Sequence, residues 1–354
     1  MSNTLSRRFR FAVISIFVWV VAYLLFFYIR HAGIDELLFV EITGDPETKK
    51  YLFIYGGAGF CFGLLYALTD ALFEKRFFAR MAYGRLLLIK IALYTILMKL
   101  LFIAIILFLR WNERTWDLVM GGMTLDTYWV GLTYTIIVGA IFTFVRQMSQ
   151  KFGAGVLWDL VRGQYRTPRE EERVFMFLDL QSSTTIADQL GHVKFSQLIQ
   201  DCFVDMTDGI RKNGGAIYQY VGDEVVVSWP KKKGINDGAA IRCFFAIREY
   251  LLSRKDYYES TYGVHPFFKA GIHVGWVTVA EVGVLKREIS YHGDTLNTAA
   301  RIEGRCNDLE RDVLISGNLA EALKREGGFE LEKLGDEELR GKEKPVAVYG
   351  VSRA

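Results

Sequence analysis

Cysteine is scarce in this 354-residue chain. Its four (Cys61, Cys202, Cys243 and Cys306) stand far apart, with no CxxC pair and no metal-ligand spacing, so reduced thiols are expected. Excess charge is also lacking. A formal net charge of +3, with no basic face interleaved with aromatics, gives no footprint for nucleic acid. There are no internal repeats and no low-complexity tracts. A cleavable signal peptide is not expected either, because the first apolar run is long and follows Arg7, Arg8 and Arg10.

What the chain does have is two unlike halves behind a 51% hydrophobic average. Residues 1–150 are predicted to be a four-helix transmembrane domain. Apolar stretches over 11–28, 51–73, 86–109 and 127–145 each approach the roughly 20 helical residues that cross a hydrocarbon core of about 30 Å. Arginines and lysines flank the N-terminus, the second loop (Lys75, Arg76, Arg80, Arg85) and the end of the last span (Arg146, Lys151). The first loop is acidic (Asp35, Glu36, Glu41, Asp45, Glu47). Positive-inside bias therefore predicts a multi-pass protein of the inner (plasma) membrane, with both termini in the cytoplasm and the lipid bilayer as a partner. Within the spans, Asp70 and Lys90 lie at similar depth and are expected to pair. Lys99 is either functional or a snorkelling or inter-subunit lysine. Gly56, Gly57, Gly59 and Gly63 contain a small-xxx-small spacing that predicts close helix packing.

Residues 151–172 form a connector whose helical spacing over 155–161 suits either a transducing helix or a plain tether. Residues 173–354 read as an α+β domain. A buried strand over 174–180 is followed by helical pattern over 183–213, then by a hairpin of 216–221 and 224–229 around Gly222-Asp223. A helix over 235–254, strands over 267–274 and 277–282, and a helix from about Thr295 come next. The tail then runs strand, helix, strand, strand. The order β-α-β-β-α-β is that of a ferredoxin-like palm.

Chemistry gathers at three places. Asp179 ends the buried strand and Asp223 tops the hairpin, so a palm sheet can bring both to one edge. Adjacent carboxylates repel unless cations neutralise them, and hard oxygen ligands imply Mg²⁺ or Mn²⁺. A carboxylate at a strand end is otherwise an ordinary turn residue. After Asp179, the run Leu180-Gln181-Ser182-Ser183-Thr184-Thr185 passes from strand to helix. Amides there suit phosphate, while Ser and Thr equally suit helix capping. Finally, Asn297 and Arg301 share one helix face at i, i+4, an arrangement suited to a phosphoryl transition state.

The blocks FLDLQSST, YVGDE and GDTLNTAAR, in this order, resemble the signature blocks of class III adenylyl/guanylyl cyclase catalytic domains. The resemblance covers about residues 172–353. It implies metal binding by Asp179 and Asp223 with Leu180, phosphate contacts at Leu180, Ser183 and Thr184, and a transition-state pair at Asn297 and Arg301. A late phosphate-binding cation would fall on Arg340 or, alternatively, Lys342. It also implies two metal ions per site, a nucleoside triphosphate substrate, and a head-to-tail homodimer with sites shared between subunits.

The base-reading positions depart from the family's usual patterns. Gln219 stands where adenylyl cyclases usually have lysine, and Ser290 where they have Asp or Thr; guanylyl cyclases have Glu and Cys there. Either side chain can donate or accept. The missing glutamate removes the usual acceptor for guanine, so ATP is favoured and cyclic AMP with pyrophosphate is the expected product pair. GTP or a pyrimidine triphosphate is the alternative, and a non-catalytic, dimerising membrane signalling module is the rival from another class. A diguanylate cyclase fits less well, since Val221 replaces the first glycine of a GGDEF hairpin and Asn297 with Arg301 would be unexplained. His192, His273 and His292 are expected in packing or surface roles, and Lys231-Lys232-Lys233 in a solvated turn.

Overall fold

The computed structural model of the chain describes residues 2–32, 46–73, 81, 83–110, 125–152, 162–285, 287–324, 326, 328–338 and 345–353. It separates into two compact units, Met1–Lys151 and Phe152–Ala354.

The first unit contains α1 (Ser2–Ala32), α2 (Pro46–Phe73), α3 (Tyr83–Arg110) and α4 (Leu125–Phe152). Each apolar stretch of the sequence lies inside one of them. Among the described residues, three windows are long and apolar enough to cross a membrane: Phe9–Ile29, Leu52–Asp70 and Trp129–Ser149. Two of the four glycines explain how α1 and α2 meet. A Cβ on Gly59 would sit 2.6 Å from Val20 Cα, and one on Gly63 would sit 2.4 Å from Ile16 Cα, so no larger residue allows this approach. Gly56 and Gly57 face open space.

Polar side chains bind the bundle further. Tyr23 and Thr135 hydroxyls lie 3.1 Å apart, and those of Tyr66 and Thr143 2.9 Å apart. Lys90 Nζ donates to Asp70 Oδ1 at 2.8 Å, the pair that their similar depth predicts. The other Asp70 oxygen meets Arg146, a partner that the sequence reading assigned to the loop flank instead. One carboxylate thus ties α2, α3 and α4 where an isolated charge would be expensive. Lys99 is exposed on α3. The loop charges used for orientation, Arg85 and Glu47 apart, and the proposed connector helix over 155–161 fall outside the described residues.

The second unit is built on β1 (Arg169–Leu180), α5 (Ser183–Lys212), β2 (Ala216–Val221), β3 (Glu224–Pro230), α6 (Lys231–Ile235), α7 (Ala239–Ser253), α8 (Lys255–Tyr262), β4 (Phe268–Val282), β5 (Glu288–His292), α9 (Asp294–Gly304), β6 (Val313–Ser316), α10 (Gly317–Leu323), β7 (Phe329–Glu337) and β8 (Val346–Arg353). The sheet order is β2-β3-β1-β4-β6-β8-β7, with β5 paired to β4. Among its first four strands each neighbouring pair is antiparallel, the pattern of the expected palm. β1 is a continuous apolar run because both its faces are covered. Met176 and Leu178 face Leu198, Met206 and Ile241, whereas Phe175 and Phe177 share a cluster with Val226 and Ala299.

Several boundaries differ from the sequence reading. The strands expected over 267–274 and 277–282 are one 15-residue strand, β4. Gly275 lies within it, and a Cβ there would come 2.5 Å from Thr295 Oγ1. β1 begins at Arg169, directly after Pro168 and inside the expected connector, because its first residues pair with Thr278 and Val279. β5 was not anticipated. The helix expected from 235 starts at Ala239, after Gly238 adopts φ +60, and Lys231-Lys232-Lys233 opens the short helix α6 rather than a loop. Lys231 there pairs with Glu172 at 2.7 Å. His273 is buried and hydrogen-bonded to Ser316 (2.7 Å), and His192 and His292 are exposed.

Candidate active site

The sheet register places the two aspartates. β1 runs antiparallel to β3 with Leu178 opposite Val225, so the Gly222-Asp223 turn comes to the C-terminal end of β1, where Asp179 stands. Gly222 takes φ +61, which the tight turn requires and a side chain resists. Both aspartates are half-buried. Asp223 Oδ2 is buried with no hydrogen-bond partner among the described residues. An orphaned carboxylate oxygen beside a second carboxylate fits a bound cation, which would satisfy both. Among the described residues no cluster of three or more His, Cys, Asp or Glu forms a cage. Asp179 and Asp223 are the side chains that this edge would offer a metal ion.

Electrostatics supports the same assignment. Burial, and next the charge of Asp223, raise Asp179 from 3.8 to about 6. Burial and both aspartates raise Glu224 to about 7. Burial, then Asp179 and Glu224, raise Glu303 to about 7. Lys269 opposes this field: it is buried, lies directly opposite Asp179 in the β1–β4 register, and lowers both Asp179 and Glu303. Glu303 comes close because α9 presses on β4, where a Cβ on Gly271 would lie 2.2 Å from Glu303 N.

These shifts carry a sign for stability. Carboxyls raised by folding bind protons more tightly in the native state than in the unfolded chain, so native stability falls as pH rises. The loss begins near the ordinary carboxylate values and is complete above the raised values of about 6 to 7. Thermal melting without metal is expected to weaken from pH 5 to pH 8. Millimolar Mn²⁺ is expected to restore more of the melting temperature at pH 8 than at pH 5. A metal effect of equal size at both values contradicts the assignment.

The strand-to-helix passage after Asp179 is open. Leu180 has its side chain in the core, so only its backbone can serve metal or phosphate. Gln181 N donates to Phe267 O at 2.8 Å, fixing the corner. Ser182 precedes α5 in a left-handed conformation, φ 57, and makes no side-chain cap. The expectation that serine and threonine serve equally as caps here is not met. With Ile186 N bonded to Ser182 O (3.1 Å), the amides of the first turn have no helical acceptor. Ser183 is half-buried and Thr184 exposed beside them. Such a terminus suits phosphate oxygens.

Gln219 is exposed on β2 just past a bulge, and Ser290 is half-buried on β5. Their chain neighbours tie the two strands: Tyr291 N donates to the Tyr218 hydroxyl (3.3 Å), and the rings meet edge-on with centroids 4.8 Å apart.

Asn297 and Arg301 share one side of α9, Asn297 exposed and Arg301 half-buried. At 100° per residue, Glu303 points about 140° away from them, toward Asp179. Arg301 Nη1 is buried without a hydrogen-bond partner among the described residues, and its nearest acid is Asp294 at 3.9 Å. The helix therefore turns Glu303 and the Asn-Arg pair to different sides, with Glu303 on the side of the aspartate edge. Arg340 and Lys342 lie outside the described residues. The sequence reading missed Lys269, Glu224 and Glu303. Lys269 had a signal, being a lone cation at the start of an apolar strand.

A palm sheet carrying paired carboxylates at one edge, beside an open helix terminus, defines a nucleotidyl-transfer type of catalytic domain. Residues 166–352 match the Adenylate and Guanylate cyclase catalytic domain, and the chain belongs to that family, the class III cyclases. It is 33% identical over 332 residues to "Adenylate cyclase 2" of Rhizobium meliloti (strain 1021), covering 89% of each chain. "Adenylate cyclase 1" of the same organism is 28% identical over 224 residues, covering 61% of this chain and 33% of that one. The fold is shared with a bacterial light-regulated adenylyl cyclase, with a TM-score of 0.53 at 23% identity, covering 61% of this chain and 63% of that structure. Divalent metal is general in this family.

Proposed function

We propose that this protein is a membrane-anchored adenylate cyclase that converts ATP to 3′,5′-cyclic AMP and pyrophosphate. The observation that carries the reading is the half-buried Asp179/Asp223 pair with its orphaned oxygen, set beside the open first turn of α5. Asp179, Asp223 and the Leu180 backbone would hold two Mg²⁺ or Mn²⁺ ions. Bound there, the ions supply acidity for the ribose 3′-hydroxyl and countercharge for the leaving pyrophosphate. The first-turn amides with Ser183 and Thr184 hold the phosphates, and Arg340 or Lys342 adds a late cation. The 3′-oxygen attacks the α-phosphorus in line, and the bond to the bridging oxygen of pyrophosphate breaks. Asn297 and Arg301 meet the charge that develops at phosphorus.

The separation of Asn297 and Arg301 from Glu303 around α9 supports a homodimer in which each site takes the aspartates from one subunit and this pair from the other. Four spans, with α3 as the fourth, would anchor the dimer in the inner membrane with both termini cytoplasmic. The domains are residues 1–150, 151–172 and 173–354. Exposed Lys99 fits a contact between subunits.

ATP is favoured because Gln219 offers guanine no carboxylate, and because the relative matched over 89% of its length is named an adenylate cyclase. The test supplies the full-length chain in membranes with Mn²⁺ and ATP, GTP, CTP or UTP in turn. Cyclic AMP is expected to dominate. Cyclic GMP or a cyclic pyrimidine product as the main species overturns the base assignment, and no cyclic product from any of the four supports the non-catalytic module.

A further inference from the structure

A cavity of about 260 Å³ opens on the catalytic unit, lined by none of the residues assigned to ATP. One wall is the α7 face formed by Phe244, Ile247, Leu251 and Leu252. The other is the segment 265–268 that leads into β4. Its lining includes two polar side chains, Arg248 and His265. Arg248 binds Asp312 through Nη1 (3.1 Å) and lies over the Phe245 ring, which leaves further guanidinium donors for a second acceptor. His265 Nδ1 is buried with no hydrogen-bond partner among the described residues. Burial, with Lys255 nearby and against the opposing charge of Glu259, pushes His265 below its ordinary value.

The far wall is continuous with the metal edge. Phe267 O accepts from Gln181 N (2.8 Å), Phe268 pairs with Leu180, and Lys269 pairs with Asp179. Arg248 reaches the same strand by another path, because Asp312 O accepts from Ala270 N (2.9 Å). A molecule seated in this cavity therefore touches the backbone that holds Leu180 and Asp179 in register.

We propose that this cavity is an effector site for a small apolar carboxylate. The apolar body lies between α7 and Phe267–Phe268, and the carboxylate accepts from Arg248, with the His265 ring as part of the wall. The space suits a single ring or a short chain and not a protein helix. Filling it braces the corner at Gln181 and raises turnover.

The test uses the full-length chain in lipid nanodiscs, with empty nanodiscs as the blank. Phenylacetate is the probe and 2-phenylethanol its uncharged counterpart, and binding is followed by ligand-detected NMR alongside cyclic product formation. Phenylacetate is expected to bind and 2-phenylethanol to bind at least about tenfold more weakly, as loss of a charge-assisted contact predicts. R248Q is expected to weaken phenylacetate to the level of the alcohol, and L252W, at an exposed position on the rim, to block it while leaving basal activity unchanged. Saturation is expected to raise turnover by about fivefold, the scale of an ordinary allosteric coupling. No phenylacetate binding at millimolar concentration overturns the site. Binding that survives both R248Q and L252W places the molecule elsewhere, equal binding of the alcohol overturns the carboxylate class, and occupancy without change in turnover overturns the effector role. The binding arm stands apart from the cyclase reading, since it is read without turnover.

Discussion

Asp223→Asn is expected to abolish cyclic nucleotide formation, by about 10³-fold or more in kcat, while leaving the domain folded. The change is nearly isosteric and removes one charge from a pair that folding forces together. The charge of Asp223 is the second cause, after burial, that lifts Asp179 to about 6. With that charge gone, Asp179 ionises more easily and the metal-free fold loses a repulsion. The melting temperature at pH 8 without metal should therefore hold or rise while activity disappears. This opposite movement separates a metal-ligand role from a structural one, because an aspartate kept for packing or turn geometry would lower both. Asp179→Asn should behave alike, with the stabilisation again confined to pH above the raised carboxyl values. Melting curves at pH 5 and pH 8, paired with an assay in saturating Mn²⁺, decide the matter. Retained activity in either variant contradicts the metal assignment.

The second large effect comes from mixing. Asn297→Ala and Asp179→Ala should each be inactive alone. If the site is shared across a two-fold interface, a heterodimer of the two joins one intact aspartate pair to one intact Asn-Arg pair. The other site in that dimer then carries both defects. Random pairing gives half heterodimers with one good site each, so co-expression should recover about a quarter of wild-type activity. Asn297→Ala mixed with Arg301→Ala should recover nothing, since both lie on one helix face and damage the same half-site. The helix geometry motivates this, as Glu303 and the Asn-Arg pair point to different sides of α9. Recovery in the second mixture, or none in the first, contradicts the shared site.

Much of this was legible before the structure, for physical reasons that differ from element to element. β1 could be read because a central strand covered on both faces must be apolar throughout, and the hairpin because Gly222 and Asp223 suit its turn and little else. The Asp70–Lys90 pair followed from depth alone, since a buried charge in a span needs a partner at its own level. Arg146 was missed as the second partner because it sits just beyond the apolar run and read as a flank. The single strand β4 was read as two, parted at 275–276, where Gly275 stands. Its role is to admit Thr295 of α9 against the sheet, a contact that is distant in sequence. β5 escaped because Glu288–His292 is short and polar, and only its pairing with β4 makes it a strand. Glu303 carries no local signal in the sequence. Its place near Asp179 depends on the contact between α9 and Gly271, which no local pattern encodes.

The most direct measurement is product stoichiometry from ATP with the full-length wild-type chain in membranes and Mn²⁺ present. Cyclic AMP and pyrophosphate should appear at equal rates with no ADP, and both should vanish in Asp223→Asn. Release of ADP and inorganic phosphate, or pyrophosphate without cyclic AMP, would contradict an intramolecular attack of the 3′-hydroxyl at the α-phosphorus.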